Sequence, residues 1–306
     1  MKGFMGLTKR NLLIFFKDWQ SILFSVLTSI IVLVLYLLFL KGTFIDSINS
    51  SAEALGDLKA LLKEEDLEMY VNMTLLVGVL GSALITVPYN CLCTVVKDRE
   101  NKIDLDVLAT PVKRWQIILS YFLSAVISAC IMTAAILTVG LIILGAGGNM
   151  SLDAADICKA YLVTILGAVS ATAFFMVLVL WFKSSQASGA FFGMLSAGAG
   201  FVIGAYIPIS QFSDPVQTVC NIFPASQVTI LLRNTLLGTT LDSMNASLGG
   251  QDGGAFVECI KEIFTFKARV FGNSMEVEQM VIYVLVVLLI CIALQVALFS
   301  KSYRKK

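Results

Sequence analysis

The sequence predicts an all-α integral membrane protein. It has six transmembrane helices, both termini in the cytoplasm, an N-terminal interfacial helix, and re-entrant or amphipathic helices outside between spans five and six. Three observations carry this. Of 306 residues, 58% are hydrophobic and only 14% are charged, against about 25% charged in an ordinary soluble domain. Six stretches, 20–40, 70–96, 115–146, 160–182, 187–208 and 279–300, contain no ionisable Asp, Glu, Lys, Arg or His, and a bilayer core of ~30 Å takes about 20 apolar residues of helix to cross. The charges between them are sorted by sign. With both termini inside, the inner segments hold 14 Lys/Arg and 5 Asp/Glu, and the outer segments 8 and 16, which is the positive-inside bias. The apolar runs do not alternate as barrel strands do. This composition excludes a soluble enzyme, a nucleic-acid binder and a disordered chain.

Residues 1–18 form the first element. Phe4, Leu12, Phe15, Phe16 and Trp19 share one arc of a helical wheel, with Arg10 and Lys17 opposite. The spacing predicts a basic amphipathic helix in the inner interface. Span one, 20–40, ends at Lys41-Gly42-Thr43 rather than at a small-x-small cleavage site, so it reads as a retained helix. In the outer loop after it, Leu55, Leu58, Leu61 and Leu62 repeat at helical spacing among acidic residues within 52–68, which predicts a short amphipathic helix. Span two contains Pro88, a kink signal, beside Tyr89 and Asn90, read either as path-lining groups or as packing and hydrogen bonding to neighbours.

The segment 97–114, KDRENKIDLDVLATPVKR, follows span two on the inner side. Nine of its eighteen residues are charged in both signs, with Ile103, Leu105, Val107 and Leu108 interspersed. Mixed charge with a few apolar anchors suits docking of a soluble partner; a plain solvated connector is the alternative. Spans three and four follow, with Trp19, Trp115 and Trp181 at inner ends of spans, where indoles sit among headgroups. Span five carries Gly189-x-x-x-Gly193 and Gly200-x-x-x-Gly204, a spacing that allows close helix approach.

The extracellular subregion 209–278 precedes span six in what is otherwise a single transmembrane domain. It divides into 214–223, 224–238, a Gly-rich link and 255–270. The piece from Pro224 to Gly238 is apolar apart from Arg233. At ~1.5 Å per residue it is too short to cross a bilayer, so it is expected at the outer interface as an amphipathic or re-entrant helix. Arg233 would then snorkel to headgroup depth, and Arg233 and Pro224 would form an outer gate.

The missing chemistry narrows the function. There is no His, hence neither the commonest general base nor the commonest metal ligand. No span carries the ionisable group that ion-coupled carriers usually place at the midplane. There is no G-x-x-x-x-G-K-[ST] phosphate loop and no hydrolase or zinc-protease signature. The seven cysteines form no metal or redox motif, and Cys220 and Cys259, both outside, are candidates for a disulfide.

The layout resembles the membrane (permease) subunits of type-2 ATP-binding cassette (ABC) exporters. The residues VVKDRENKIDLDVLATPVKRWQIILSYFLSAVI are similar to that family's segment leading into span three. IPISQFSDPVQTVCNIFPASQVTILLRNTLLG is similar to its outer segment between spans five and six. The last outer segment is longer than in compact polysaccharide-exporting members. The resemblance implies a permease with no catalytic residue and no cofactor of its own. ATP and Mg would reside on a separate ABC ATPase subunit, and a second permease subunit would complete the path in the plasma membrane of a bacterium. It implies that Asp98, Arg99, Glu100, Asp104 and Asp106 couple to the ATPase, and that Lys9, Arg10 and Lys17 of the interfacial helix touch it as well. The neutral, Phe-rich spans favour a hydrophobic or amphipathic substrate over a small ion. A stand-alone ion-coupled or facilitative carrier is the alternative, and a non-transporting membrane partner of an ATPase is a third reading.

Overall fold

The structure, a computed structural model, describes residues 2–53, 62–146, 152–249 and 252–302. It is built around one helix, α4 (Glu64–Glu100), 37 residues long and buried nearly all round. At 1.5 Å per residue that is roughly 55 Å, so both ends stand beyond a bilayer core. Glu64, Glu65 and Asp66 occupy its first turn and Lys97 and Arg99 its last, each sign matched to the helix dipole.

The helices before α4 are α1 (Lys2–Lys17), α2 (Trp19–Leu35) and α3 (Lys41–Glu53), the last two joined by a π-helical turn at Tyr36–Leu40. After it come α5 (Ile103–Leu108), α6 (Arg114–Ala146), α7 (Ala154–Val179) and α8 (Ser185–Val202). The outer segment holds α9 (Asp214–Ile222), α10 (Pro224–Ser247), α11 (Ala255–Ile263) and an antiparallel pair, β1 (Ala268–Val270) and β2 (Asn273–Met275); α12 (Val277–Ser302) is the last described element. Helices α2, α6, α7, α8 and α10 all pack on α4, α1 lies against α6, and α12 against α7.

Among the described residues five helical stretches are long and apolar enough to cross a membrane: 19–51, α4, α6, α7 and 277–299. Their outward faces are apolar. Leu23, Phe24, Ile30, Leu37, Leu38 and Phe39 on the first stretch, and Ile282, Leu289 and Ile290 on α12, are exposed, a pattern that lipid and not water accommodates. Trp19, Trp115 and Trp181 are exposed at the ends of their helices, as interfacial anchors require.

Several elements differ from the sequence expectation. The first span does not stop at Lys41. The extra residue of the π-helical turn rotates the register, and α3 continues with Phe44 and Ile48 buried. The amphipathic helix expected around Leu55, Leu58 and Leu61 lies outside the described residues. Helix α8 is 18 residues, shorter than the expected 187–208 stretch. It ends at Gly204, whose φ of +70° suits glycine, and the ring of Tyr206 folds back onto the bare face of Gly200. The second Gly pair of span five therefore serves a turn within the chain, while Gly189 and Gly193 face open space. The 255–270 segment is helical only to Ile263. It then forms a hairpin whose two turn residues, Phe271 and Gly272, both have positive φ, the geometry that matches strand twist. Cys220 and Cys259 do not pair: both are free thiols, the first buried and the second exposed.

The largest correction concerns 224–238. Of the two expected forms, amphipathic or re-entrant, it is not a fifteen-residue amphipathic helix lying on the outer interface. It runs without a break through Gly238 to Ser247 as α10, and its apolar residues bury against protein, chiefly α4 and α7. Val228 and Thr229, in its second turn, contact the positions of Gly167 and Gly81 near the middles of α7 and α4. Further along, Thr239 donates to Asp156 (3.0 Å) and Ser243 to Asp66 (3.2 Å), at the outer starts of α7 and α4. Helix α10 thus begins at mid-depth and runs outward. Its inner corner is non-helical at Phe223, and protein satisfies it: Tyr283 donates to the Ile222 carbonyl (2.9 Å), and Gln227 to that of Asn221 (2.9 Å). That is the condition for irregular backbone at membrane depth.

Close approach at that corner depends on two glycines. A Cβ at Gly81 would lie 2.5 Å from Thr229 Oγ1 and 2.8 Å from Ile203 Cδ1, and one at Gly167 would lie 2.7 Å from Val228 Cγ1. Gly81→Leu and Gly167→Leu are each expected to destabilise the protein by about 1–3 kcal/mol through overpacking. Gly189→Leu, which meets nothing, should leave the thermal midpoint in detergent unchanged.

Candidate functional site

The inner end of α4 concentrates the charged residues singled out in the sequence. Asp98 is 4% exposed. Arg10 of α1 grips it with both terminal nitrogens, Nη1 to Oδ2 at 2.6 Å and Nη2 to Oδ1 at 3.0 Å, and Tyr121 of α6 donates its hydroxyl to Oδ2 at 2.6 Å. A two-pronged guanidinium–carboxylate pair is among the strongest polar contacts available to a protein. The hydrogen bonds to Asp98 outweigh burial and raise the Arg10 pKa above its already high ordinary value.

The neighbouring residues are engaged too. Lys97 pairs with Asp18 at 3.1 Å. Asp18 caps α2 through the backbone N–H and hydroxyl of Ser21. Burial opposes its charge, yet the bonds from Ser21 and Lys97 hold its carboxyl below the ordinary range. Arg99 donates to the carbonyls of Leu180 (2.7 Å) and Phe182 (3.0 Å) past the end of α7. Glu100 accepts from the N–H of Ser185, the first residue of α8, at 3.0 Å, which holds its pKa down.

Chain direction then reverses. Lys102 takes a left-handed conformation (φ 60°) and opens the six-residue α5. Val107 anchors α5 inward, while Leu105 and Asp106 are exposed and Asp104 is half-buried. On α1, Lys9 and Lys17 are exposed. The start of α1 abuts the loop after α5, where a Cβ on Gly3 would lie 2.8 Å from Val112. The predicted set therefore divides. Arg10, Asp98 and Arg99 turn into the protein, and Glu100 is exposed but bonded to α8. Lys9, Lys17 and Asp106 face outward. Sequence reading missed Tyr121, Ser185 and the carbonyls at 180 and 182. Only Tyr121 carries a signal in sequence, as a phenol two turns into an otherwise apolar span.

Arg233 is turned into the protein and does not snorkel to the surface. It is 3% exposed on α10 and donates from Nη1 to the Thr265 carbonyl at 2.8 Å, with no carboxylate paired to it among the described residues. Next to it Asn234 donates to the Phe266 carbonyl at 2.8 Å. Thr265 has φ 58°, unusual for a β-branched residue. It is held there by Ser210, whose N–H donates to Thr265 Oγ1 (3.0 Å) and whose hydroxyl donates to the Ile263 carbonyl (2.5 Å). Phe264 packs edge-on against Phe44 and Tyr70. Pro224, the first residue of α10, is buried. Its fixed φ suits a helix start, and it lies at the mid-depth corner rather than at an outer mouth.

Tyr89 and Asn90 are packing groups. Tyr89 is fully buried, bonded to Ser188 and ringed by Phe175, Phe191 and Phe192. Asn90 donates to the Ser21 carbonyl and Ser25 Oγ on α2. The candidate path lies elsewhere. A cavity of about 680 Å³ runs between α2 and α8, lined by Ile31, Leu35, Phe39, Ser196, Phe201 and Tyr206 among others. Its size is that of a small-molecule site and its walls are overwhelmingly apolar.

A buried central helix with apolar outward-facing neighbours makes this an integral membrane protein, and the sequence profile described as ABC-2 family transporter protein matches residues 45–301. The chain belongs to the ABC-2 transporter family. It is the multi-pass membrane permease subunit of an ABC transporter, and it works with a partner ATPase subunit. No curated protein matches the chain by sequence. Family membership decides against the stand-alone carrier.

In this permease Arg233 is a buried charge whose hydrogen-bond partner among the described residues is a neutral carbonyl. Arg233→Met is expected to be neutral or stabilising by about 1 kcal/mol, whereas Arg233→Glu, which buries an unpaired carboxylate against the Thr265 carbonyl, should cost about 3 kcal/mol or more. Thermal midpoints of the two purified variants check this. A headgroup-snorkelling arginine would show the smaller effect for both.

Proposed function

We propose that this permease is an exporter subunit of the bacterial plasma membrane, with six spans and both termini in the cytoplasm. ATP and Mg reside on the separate ATPase, which docks on 97–114 and on α1, and a second permease subunit completes the path. The observation that carries this reading is α5: a short helix at the foot of the central helix, anchored by Val107, that presents Leu105 and Asp106 outward, with the start of α1 against the loop that follows it. A pushing partner needs a small exposed element rigidly joined to a long lever, and α5 with α4 is that pair. The apolar cavity between α2 and α8 supports a hydrophobic or amphipathic substrate, as does the lack of any charged residue lining it.

The docking reading is tested by Leu105→Ala and Asp106→Lys. Each is expected to reduce recovery of the ATPase with the affinity-purified permease by about tenfold, as loss of an interface anchor or of a complementary charge does, while membrane insertion is unchanged. Full recovery with both variants overturns the assignment of α5.

Orientation has its own check. Cys158 and Cys259 are exposed at the end of the molecule where α7 begins and in α11, whereas Cys220 is buried. A membrane-impermeant maleimide added to intact cells should label Cys158 and Cys259 and spare Cys220. Labelling of Cys158 and Cys259 only after lysis would invert the topology.

A further inference from the structure

The last four residues of α4 each hold a different part of the molecule. Lys97 reaches Asp18, the cap of α2; Asp98 reaches Arg10 on α1 and Tyr121 on α6; Arg99 reaches the carbonyls beyond α7; Glu100 reaches the first N–H of α8. Helix geometry explains how. At 3.6 residues per turn, four consecutive side chains sweep a full circle, so one turn faces every neighbour of a helix that is packed on all sides. Two residues later the chain enters α5.

The four links differ in character. The Lys97–Asp18 pair is half-exposed and therefore weak. Asp98 is buried, with three hydrogen bonds from two other helices. Replacing one of its partners leaves a carboxylate without compensation. The α8 side is held through backbone groups, which side-chain rotation at α7 and α8 does not release.

We propose that this turn is a mechanical joint that makes α1, α4 and the start of α8 move as one body, with Asp98 as the positioning residue at its centre. It rests on the reading that an ATPase pushes α5. Helix α8 is one wall of the apolar cavity, so a displacement of α5 reaches the cavity through Arg99 and Glu100 without passing through the length of α4. Arg10 brings the interfacial helix along. A role limited to partner contact does not require Asp98 to be buried; a joint does.

The experiment uses spin labels on the full-length permease in lipid nanodiscs, with the seven native cysteines replaced. Lys9→Cys on α1 and Ala187→Cys on α8 are both at exposed positions. Pulsed dipolar spectroscopy should give a narrow distance distribution for the otherwise native chain. Asp98→Asn, which keeps the shape but loses the charge that Arg10 grips, should roughly double its width. The reversal Arg10→Asp with Asp98→Arg should narrow it again, a rescue that separates a joint from general misfolding. An unchanged width in Asp98→Asn overturns the joint, and so does a broadened width that the reversal fails to narrow.

A second arm separates the joint from the reading beneath it. In the complex with its ATPase, adding ATP and vanadate, which traps ADP with vanadate in place of the cleaved phosphate, should shift the distance between Ala187→Cys and Leu294→Cys on α12, and Asp98→Asn should abolish that shift while ATP hydrolysis measured without vanadate continues. If the first arm holds and the native complex shows no shift on trapping, the joint stands and the ATPase-driven reading of α5 falls.

Discussion

Asp98 sets the terms for the inner half of this molecule. It is a carboxylate withdrawn from water at the foot of a helix that is buried along nearly all its length. A buried acceptor with several lone pairs must be met by donors or it destabilises the fold by several kcal/mol. The donors come from helices far apart in sequence, Arg10 from α1 and Tyr121 from α6. Helix α1 therefore cannot simply float in the interface. It lies where its arginine reaches the foot of α4, packs along α6, and leaves Lys9 and Lys17 exposed. The positions of α1, α4 and α6 are fixed by one group.

Within the bilayer a different rule operates. Lipid tails are as apolar as leucine, so no hydrophobic gain draws helices together, and association depends on close packing and on polar contacts. The α2–α4 seam is written in those terms. Asn90, Thr86 and Ser82 of α4 meet Ser21, Ser25 and Ser29 of α2. At the α4–α7–α10 junction, Gly81 and Gly167 remove the side chains that would hold the backbones apart. These residues sit at mid-depth, where the non-helical corner at Phe223 needs protein rather than lipid around it.

Sequence made the membrane class, the long apolar helices and the charged inner turn legible, because each rests on composition or on runs of like residues. It also singled out 97–114 as a candidate docking segment. What it hid was direction. Whether Asp98 faces a partner or Arg10 depends on which way α1 is laid, and no local pattern encodes that. Arg233 was misplaced for the same reason. A lone charge in an apolar helix reads as interfacial when the helix is assumed to meet lipid, and α10 meets protein. The correct signal was present but weak: Pro224–Ser247 has apolar residues distributed around the helix rather than along one face, and a helix apolar all round is a buried one. The early end of α8 could be read only from Gly204 and Tyr206 acting together across a turn.

The two ends of α4 are fastened by different physics, and the difference has a consequence. Inside, the links include an ion pair whose acidic member is buried, so separating α1 from α4 strands a charge. Outside, the residues 263–266 are held by hydrogen bonds from Arg233, Asn234 and Ser210 to uncharged oxygens and by edge-on aromatic contacts, with no ion pair among these described residues. Water replaces such bonds at small net cost, and lifting the 263–266 run would hydrate the Arg233 guanidinium, which has no carboxylate partner among the described residues. It would also release Thr265 from a disfavoured backbone conformation. Of the two ends, the outer one therefore opens at lower free energy.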